Sequence, residues 1–213
     1  MVVNDQSNAQ KSRVITYIDG FNLHFGLHAK GWNKYQWLDL CKLSRALMEH
    51  GQSLQLTKYF TSRVRGNIGK QQRQTAYLDA LTTLDRFSIF WGNYQPDQKQ
   101  CQKCGHYAYH PIEKKTDVNI ATQLLCDAFH DLFDTALIVS GDSDLVPPIE
   151  AVKDLHPAKR VVVAFPPKRF SSELALQAHG YFNIFEAKLR QSRLPWKVTL
   201  PSGMQVECPS QWR

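Results

Sequence analysis

The sequence predicts an α/β protein, a three-layer sandwich around a mainly parallel sheet, with a small cysteine-containing insertion and a C-terminal hairpin. Three observations carry that prediction. Short runs of β-branched and apolar residues alternate with amphipathic stretches at close spacing, the pattern of βαβ units with right-handed crossovers. Leu137, Ile138 and Val139 form a run with no polar alternate, as a strand buried on both faces requires. That run ends in Ser140-Gly141-Asp142-Ser143-Asp144, a strand-to-loop break of the kind beyond which ligands collect in parallel sheets.

The elements follow in order. Val14 to Ile18 is the first strand, and it ends at Asp19-Gly20-Phe21-Asn22, where Gly20 permits a sharp turn and Asn22 can bond a neighbouring loop or a metal-bound water. Trp37 to His50 reads as a helix stopped by Gly51. Leu54 to Val64 is the second strand, and it runs out into Arg63 and Arg65 at the same end of the sheet as Asp19. A helix over 67–85 and a strand over Phe87 to Tyr94 come next. After the insertion, Thr116 caps a long helix with an apolar face of Val118, Ala121, Leu124, Leu125, Ala128 and Phe129. Asp117 then sits in its first turn, where the helix dipole favours an anion whether or not it has another role. Pro147 and Pro148 suit the first turn of a helix reaching about Leu155. Arg160 to Phe165 is a fifth, fully buried strand, a helix spans 171–179, and Tyr181 to Phe185 is an edge strand. In the tail, KVTLPSGMQVE reads as a hairpin about Pro201-Ser202-Gly203.

The 213 residues suffice for one well-filled core, so the chain divides into a lead-in over 1–12, a domain over 13–185 with an insertion at 95–113, and a tail over 186–213. No apolar run approaches the roughly 20 residues of a membrane span. The opening MVVNDQSNAQKS lacks the features of a secretory signal and reads as a disordered start to an intracellular, cytoplasmic protein. Five cysteines in a reducing compartment argue against a disulfide framework. The net charge of +7, from 26 basic and 19 acidic residues, fits a polyanionic partner or simply a soluble surface.

Asp142 and Asp144 are close enough in sequence to repel one another unless a cation holds them, and hard divalent ions suit such a cluster. The competing reading is that both only cap the helix opening near Leu145. In the insertion, Cys101-x-x-Cys104 with His106 and His110 close behind offers ligands for structural zinc, with Cys126, Cys208 or a second subunit as further sources. A short hairpin with reduced, unliganded cysteines is the other reading.

Taken together, Tyr17-Ile18-Asp19-Gly20-Phe21-Asn22, Lys114-Lys115-Thr116-Asp117-Val118 and Ser140-Gly141-Asp142-Ser143-Asp144 resemble the NYN domain family, a branch of the PIN-like nucleases, over approximately 13–185. The resemblance implies a Rossmann-like sheet and a metal-dependent ribonuclease site. By that resemblance Asp19, Asp117, Asp142 and Asp144 would hold one or two Mg²⁺ or Mn²⁺ ions, with Asn22 in support. RNA, single-stranded by preference, would be the substrate, and a homodimer is left open. Arg63, Arg65, Lys115, Lys168 and Arg169 fall near predicted strand ends and could hold flanking phosphates, with Tyr107 or Tyr109 as a stacking platform. Two other functions stay open: a catalytically weak RNA-binding or regulatory module, and a metal-dependent phosphoesterase for a small phosphate ester.

Overall fold

The computed structural model describes residues 11–100, 104–105 and 107–213, with the backbone alone over 93–100 and 107–114. β1 (Ser12–Asp19), β2 (Gln52–Thr61), β3 (Phe87–Trp91), β6 (Thr135–Val139), β7 (Arg160–Phe165) and β8 (Gly180–Asn183) form one six-stranded sheet in the order β3-β2-β1-β6-β7-β8. Every pairing in it is parallel, and β1 lies between β2 and β6, with Asp19 level with Phe60 and Ile18 level with Val139. β6 is buried along its whole length, as its unbroken apolar run requires, whereas Arg160 at the start of β7 is exposed.

Helices close both faces. On one side lie α1 (Gly20–Ala29), α2 (Leu40–Leu47) and α3 (Ile68–Leu81), and Leu23, Leu27, Leu43, Tyr77 and Leu81 fill that core. The tail joins the same layer through α7 (Glu186–Gln191) and the antiparallel pair β9 (Lys197–Thr199) and β10 (Gln205–Glu207), burying Leu189, Leu194, Val198 and Cys208. On the other side, α4 (Thr116–Phe129), α5 (Val146–Leu155) and α6 (Ser172–Gln177) contribute Ile120, Leu124, Ile149, Val152 and Leu174. The insertion is the antiparallel pair β4 (Asn93–Gln100) and β5 (Tyr107–Lys114). No helix among the described residues is long and apolar enough to cross a membrane.

Four expectations change. The segment after Asp19 is a helix rather than a sharp turn, and Gly20 serves close packing: a Cβ there would stand 2.7 Å from the Phe60 carbonyl oxygen and from the Tyr59 ring. Thr116 is the first residue of α4, whose cap is Lys115 in the left-handed conformation, φ 81°. Val118 and Phe129 of the expected apolar face are exposed, and Ile120 takes the buried place because α4 meets the sheet along 116, 120, 124, 127 and 128. The strand expected over Phe87 to Tyr94 ends at Trp91, and Asn93 and Tyr94 already belong to β4 of the insertion.

α4 is also tied to the sheet by charge. Lys58 on β2 forms an ion pair with Asp127, Nζ to Oδ2 2.6 Å, and donates to Gln123 Oε1 at 2.7 Å. The Tyr17 hydroxyl on β1 donates to the same Asp127 carboxylate at 2.6 Å. Both charged side chains are buried, so each depends on the other to offset its lost hydration.

Candidate metal centre

The carboxyl ends of β1 and β6 lie side by side, and α1 and the segment leading into α5 leave them toward opposite faces of the sheet. Asp19 is the last residue of β1 and the N-cap of α1: its Oδ1 accepts from the Asn22 backbone N–H at 2.9 Å. Its Oδ2 accepts from the Ser140 hydroxyl at 3.0 Å. Ser140, fully buried at the end of β6, turns its oxygen to accept from the Asp142 N–H at 3.1 Å. Asn22 Oδ1 accepts from the Gly141 N–H at 3.0 Å, so the two segments are stitched together by side chains on both sides. A Cβ on Gly141 would stand 2.6 Å from the carbonyl oxygen of Arg169, which explains glycine there: the loop following β7 packs directly against it.

Asp19, Asp117 and Asp142 each offer one oxygen such that all three lie within 4.8 Å of one another. They arrive from three separate places: the end of β1, the first turn of α4 and the loop after β6. Asp19 is buried and the other two are partly so. Burial pushes the Asp19 carboxyl above its ordinary value, Asp142 adds to the rise, and the bonds from Asn22 and Ser140 oppose it. Asp117 is pushed up to about 6 by burial first, and then by the negative charges of Asp19, Asp142 and Asp144. Among the described residues no lysine or arginine forms an ion pair with the three. Three hard oxygen donors, mutually repelling and uncompensated by a side-chain cation, are the donor set of a divalent metal site, and these residues could hold such an ion.

Asp144 stands outside the group of three. Its side chain is exposed, its N–H donates to Asp142 Oδ1 at 3.1 Å, and it acts on Asp117 through its charge. Asn22 is at the centre of the loops as anticipated, but Ser140, which joins Asp19 to Asp142, was passed over. Its place directly before Gly141-Asp142 was the available signal.

None of the anticipated basic residues forms an ion pair with the three acids among the described residues. The Arg63 guanidinium lies 4.6 Å from the centroid of the Trp91 ring, and that of Arg169 lies 5.9 Å from the Phe25 centroid. Arg65, Lys115 and Lys168 are exposed, the last two with positive φ. Cys104 is an exposed free thiol and Cys126 an exposed one on α4, while Cys208 is buried in the core. Cys101 and His106 lie outside the described residues, as do the side chains of His110, Tyr107 and Tyr109.

A parallel sheet with acids gathered beyond its central strands defines a nuclease-like α/β domain. The chain belongs to the NYN domain family, which matches residues 13–185. It is 27% identical over 195 residues to 6-hydroxy-3-succinoylpyridine 3-monooxygenase HspA of Pseudomonas putida (strain DSM 28022 / S16), an alignment covering 75% of this chain. The chain spans 61% of the length of that relative. In fold it is similar to the crystal structure of a protein of unknown function from Vibrio parahaemolyticus RIMD 2210633, with TM-score 0.56 and 19% identity over 89% of this chain and 99% of the other.

Proposed function

We propose that the protein is a metal-dependent ribonuclease that hydrolyses RNA phosphodiester bonds. The observation that carries this reading is the convergence of Asp19, Asp117 and Asp142 at the carboxyl end of the sheet of an NYN domain. The three carboxylates would hold Mg²⁺ or Mn²⁺, with Asp144 adding negative charge at the rim. When bound, such an ion supplies a water of lowered pKa and compensates charge growing on the phosphate. The chain's own residues do the rest. Asn22 and Ser140 fix the orientation of Asp19 and the height of the Asp142 loop, and α4 presents Asp117 from its first turn. Arg63, Arg65, Lys115, Lys168 and Arg169 would hold phosphates on either side and compensate a carboxylate cluster that otherwise repels a polyanion.

A second reading draws on the Pseudomonas relative, whose name is that of a monooxygenase. Three carboxylates with no imidazole among them are the donors of magnesium and manganese sites, whereas non-haem iron oxygenases use two histidines and one carboxylate. That difference argues against a non-haem iron oxygenase centre at these three residues.

The test is cleavage of single-stranded RNA, structured RNA, DNA and a simple phosphate diester with Mg²⁺, Mn²⁺ or chelator. Metal-dependent RNA cleavage that disappears in both Asp19→Asn and Asp142→Asn, with the fold intact by circular dichroism, is the expected result. RNA binding without turnover would instead make the protein a regulatory module, and turnover of the simple ester alone would make it a phosphoesterase. Undiminished RNA turnover in both variants would move catalysis away from these carboxylates. Oxygen consumption with 6-hydroxy-3-succinoylpyridine and a reduced nicotinamide as electron donor, without RNA cleavage, would support the second reading.

A further inference from the structure

Two large aromatic rings stand exposed on segments tied to the three carboxylates, and each has an arginine guanidinium within 6 Å of its centroid. Trp91 closes β3 and is 40% exposed. Its position is tied to the acids: the Asn119 side-chain amide, in the same turn of α4 as Asp117, donates to the Trp91 carbonyl oxygen at 3.1 Å. Arg63 covers the ring. Phe25 of α1 is 47% exposed and stacks on Phe21 at 6.0 Å between centroids, with Arg169 over it. This pair too is tied to the acids, because the Arg169 backbone is what Gly141 packs against. In the sheet order, β3 and β7 each lie two strands from β1, which ends at Asp19.

Single exposed aromatics are ordinary on a protein surface, Phe129 and Trp196 here among them, and what sets Trp91 and Phe25 apart is their tie to the acids. A flat ring with a guanidinium beside it suits one occupant well: a nucleobase stacks on the ring while the neighbouring phosphate meets the arginine. Resting on the ribonuclease reading above, we infer that Arg63–Trp91 and Arg169–Phe25 are base-stacking clamps on the two sides of the scissile phosphate. The clamps hold unpaired nucleotides both before and after the bond to be cut. A duplex cannot offer its bases to either ring, because they are already stacked and paired. The substrate is therefore single-stranded RNA engaged internally, and a free end is not required.

The test measures affinity for fluorescent single-stranded oligouridylate, its duplex with oligoadenylate, and an oligomer of the same length with abasic sites, all in Ca²⁺. Trp91→Leu and Phe25→Leu keep apolar bulk and remove the flat face, and each should weaken oligouridylate binding by roughly 5- to 150-fold. Trp91→Phe and Phe25→Tyr should restore most of the loss, and wild type should bind the abasic oligomer as weakly as the leucine variants bind oligouridylate. Phe129→Ser, which removes an exposed ring at the far end of α4, is the control and should bind as wild type does. With Mg²⁺ or Mn²⁺, a circular single-stranded RNA should be cut as well as a linear one. Leucine variants within twofold of wild type, or a circle left intact while the linear RNA is cut, overturn the clamps and leave the nuclease reading standing. Absence of metal-dependent cleavage of any RNA, with Asp142→Asn no different from wild type, overturns the nuclease reading itself. Oligouridylate binding no tighter than duplex binding overturns the clamps in either case.

Discussion

Replacing Asp117 with Asn should make the metal-free protein more stable, although it removes a proposed ligand. Its carboxyl moves from an ordinary 3.8 to about 6 on folding, through burial and the three neighbouring acids. At about 1.36 kcal/mol per tenfold change in proton affinity, that corresponds to a ceiling of about 3 kcal/mol against the ionised form. Partial exposure screens the neighbouring charges, and the first turn of α4 favours an anion by up to about 1 kcal/mol, so the net should be about 1 to 2 kcal/mol. The sign follows from the direction. The folded state holds the proton more tightly than the unfolded chain, so the penalty is absent below about pH 4, grows as pH rises toward 6 and is complete above it. Urea unfolding in chelator should therefore show Asp117→Asn more stable than wild type at pH 8, with the gain shrinking toward pH 4. Adding Mg²⁺ should reverse the order, since a ligand at about a hundred times its Kd stabilises the folded state by about 2.7 kcal/mol, and the variant should respond far less. An Asn variant equal to or less stable than wild type in chelator at pH 8 would refute the picture of a repelling, cation-seeking cluster.

Three further outcomes are expected. Lys58→Met should destabilise the fold by about 3 to 5 kcal/mol in urea unfolding by leaving Asp127 buried without its cation, and the double variant Lys58→Met, Asp127→Asn should recover much of that loss, because the amide is neutral and keeps an acceptor for the Tyr17 hydroxyl. Arg63→Ala with Arg65→Ala should weaken binding to unrelated single-stranded RNAs about equally and make the salt dependence shallower by roughly 1.4 in log–log slope, about 0.7 for each lost phosphate contact, whereas identical slopes would remove both residues from the groove. If Cys101 and Cys104 hold structural zinc, elemental analysis of protein never exposed to chelator should find zinc that vanishes in the double serine variant, and zinc in neither sample would leave a bare hairpin.

What was legible in the sequence was whatever local pattern controls. The unbroken run at β6 announced a strand covered on both faces, and Arg160–Phe165 and the tail hairpin were readable on the same grounds. Helix α1 was not, because its sequence FNLHFGLHA is apolar on most sides and gives little periodic signal. The packing of Gly20 against Tyr59 and of Gly26 against the Pro167 carbonyl decides its course, and those contacts are long-range. The apolar face of α4 was misjudged for a related reason. The helix turns Asp127 inward because Lys58 and Tyr17, from strands far away in sequence, wait there for it, and that rotation exposes Val118 and Phe129.

Asp142 and Asp144 posed a choice in the sequence, helix cap or metal ligand, and the geometry shows that capping, at Asp142 as at Asp19, does not preclude holding a cation. Asp19 caps α1 with one oxygen and accepts from Ser140 with the other; Asp142 accepts from the Asp144 N–H at the opening of the next turn. An ionised carboxylate has two oxygens and about four lone-pair directions, so a bond to a backbone N–H leaves capacity for a cation. Capping also fixes the rotamer, and a ligand already held in place loses little freedom when an ion arrives. The same bonds oppose the rise in the Asp19 pKa that burial imposes, keeping it closer to the ionised form a metal needs. A helix start at the end of a buried strand is thus a means of holding a charged group ready, and the caps at Asp19 and Asp142 do not compete with the proposed metal-binding role.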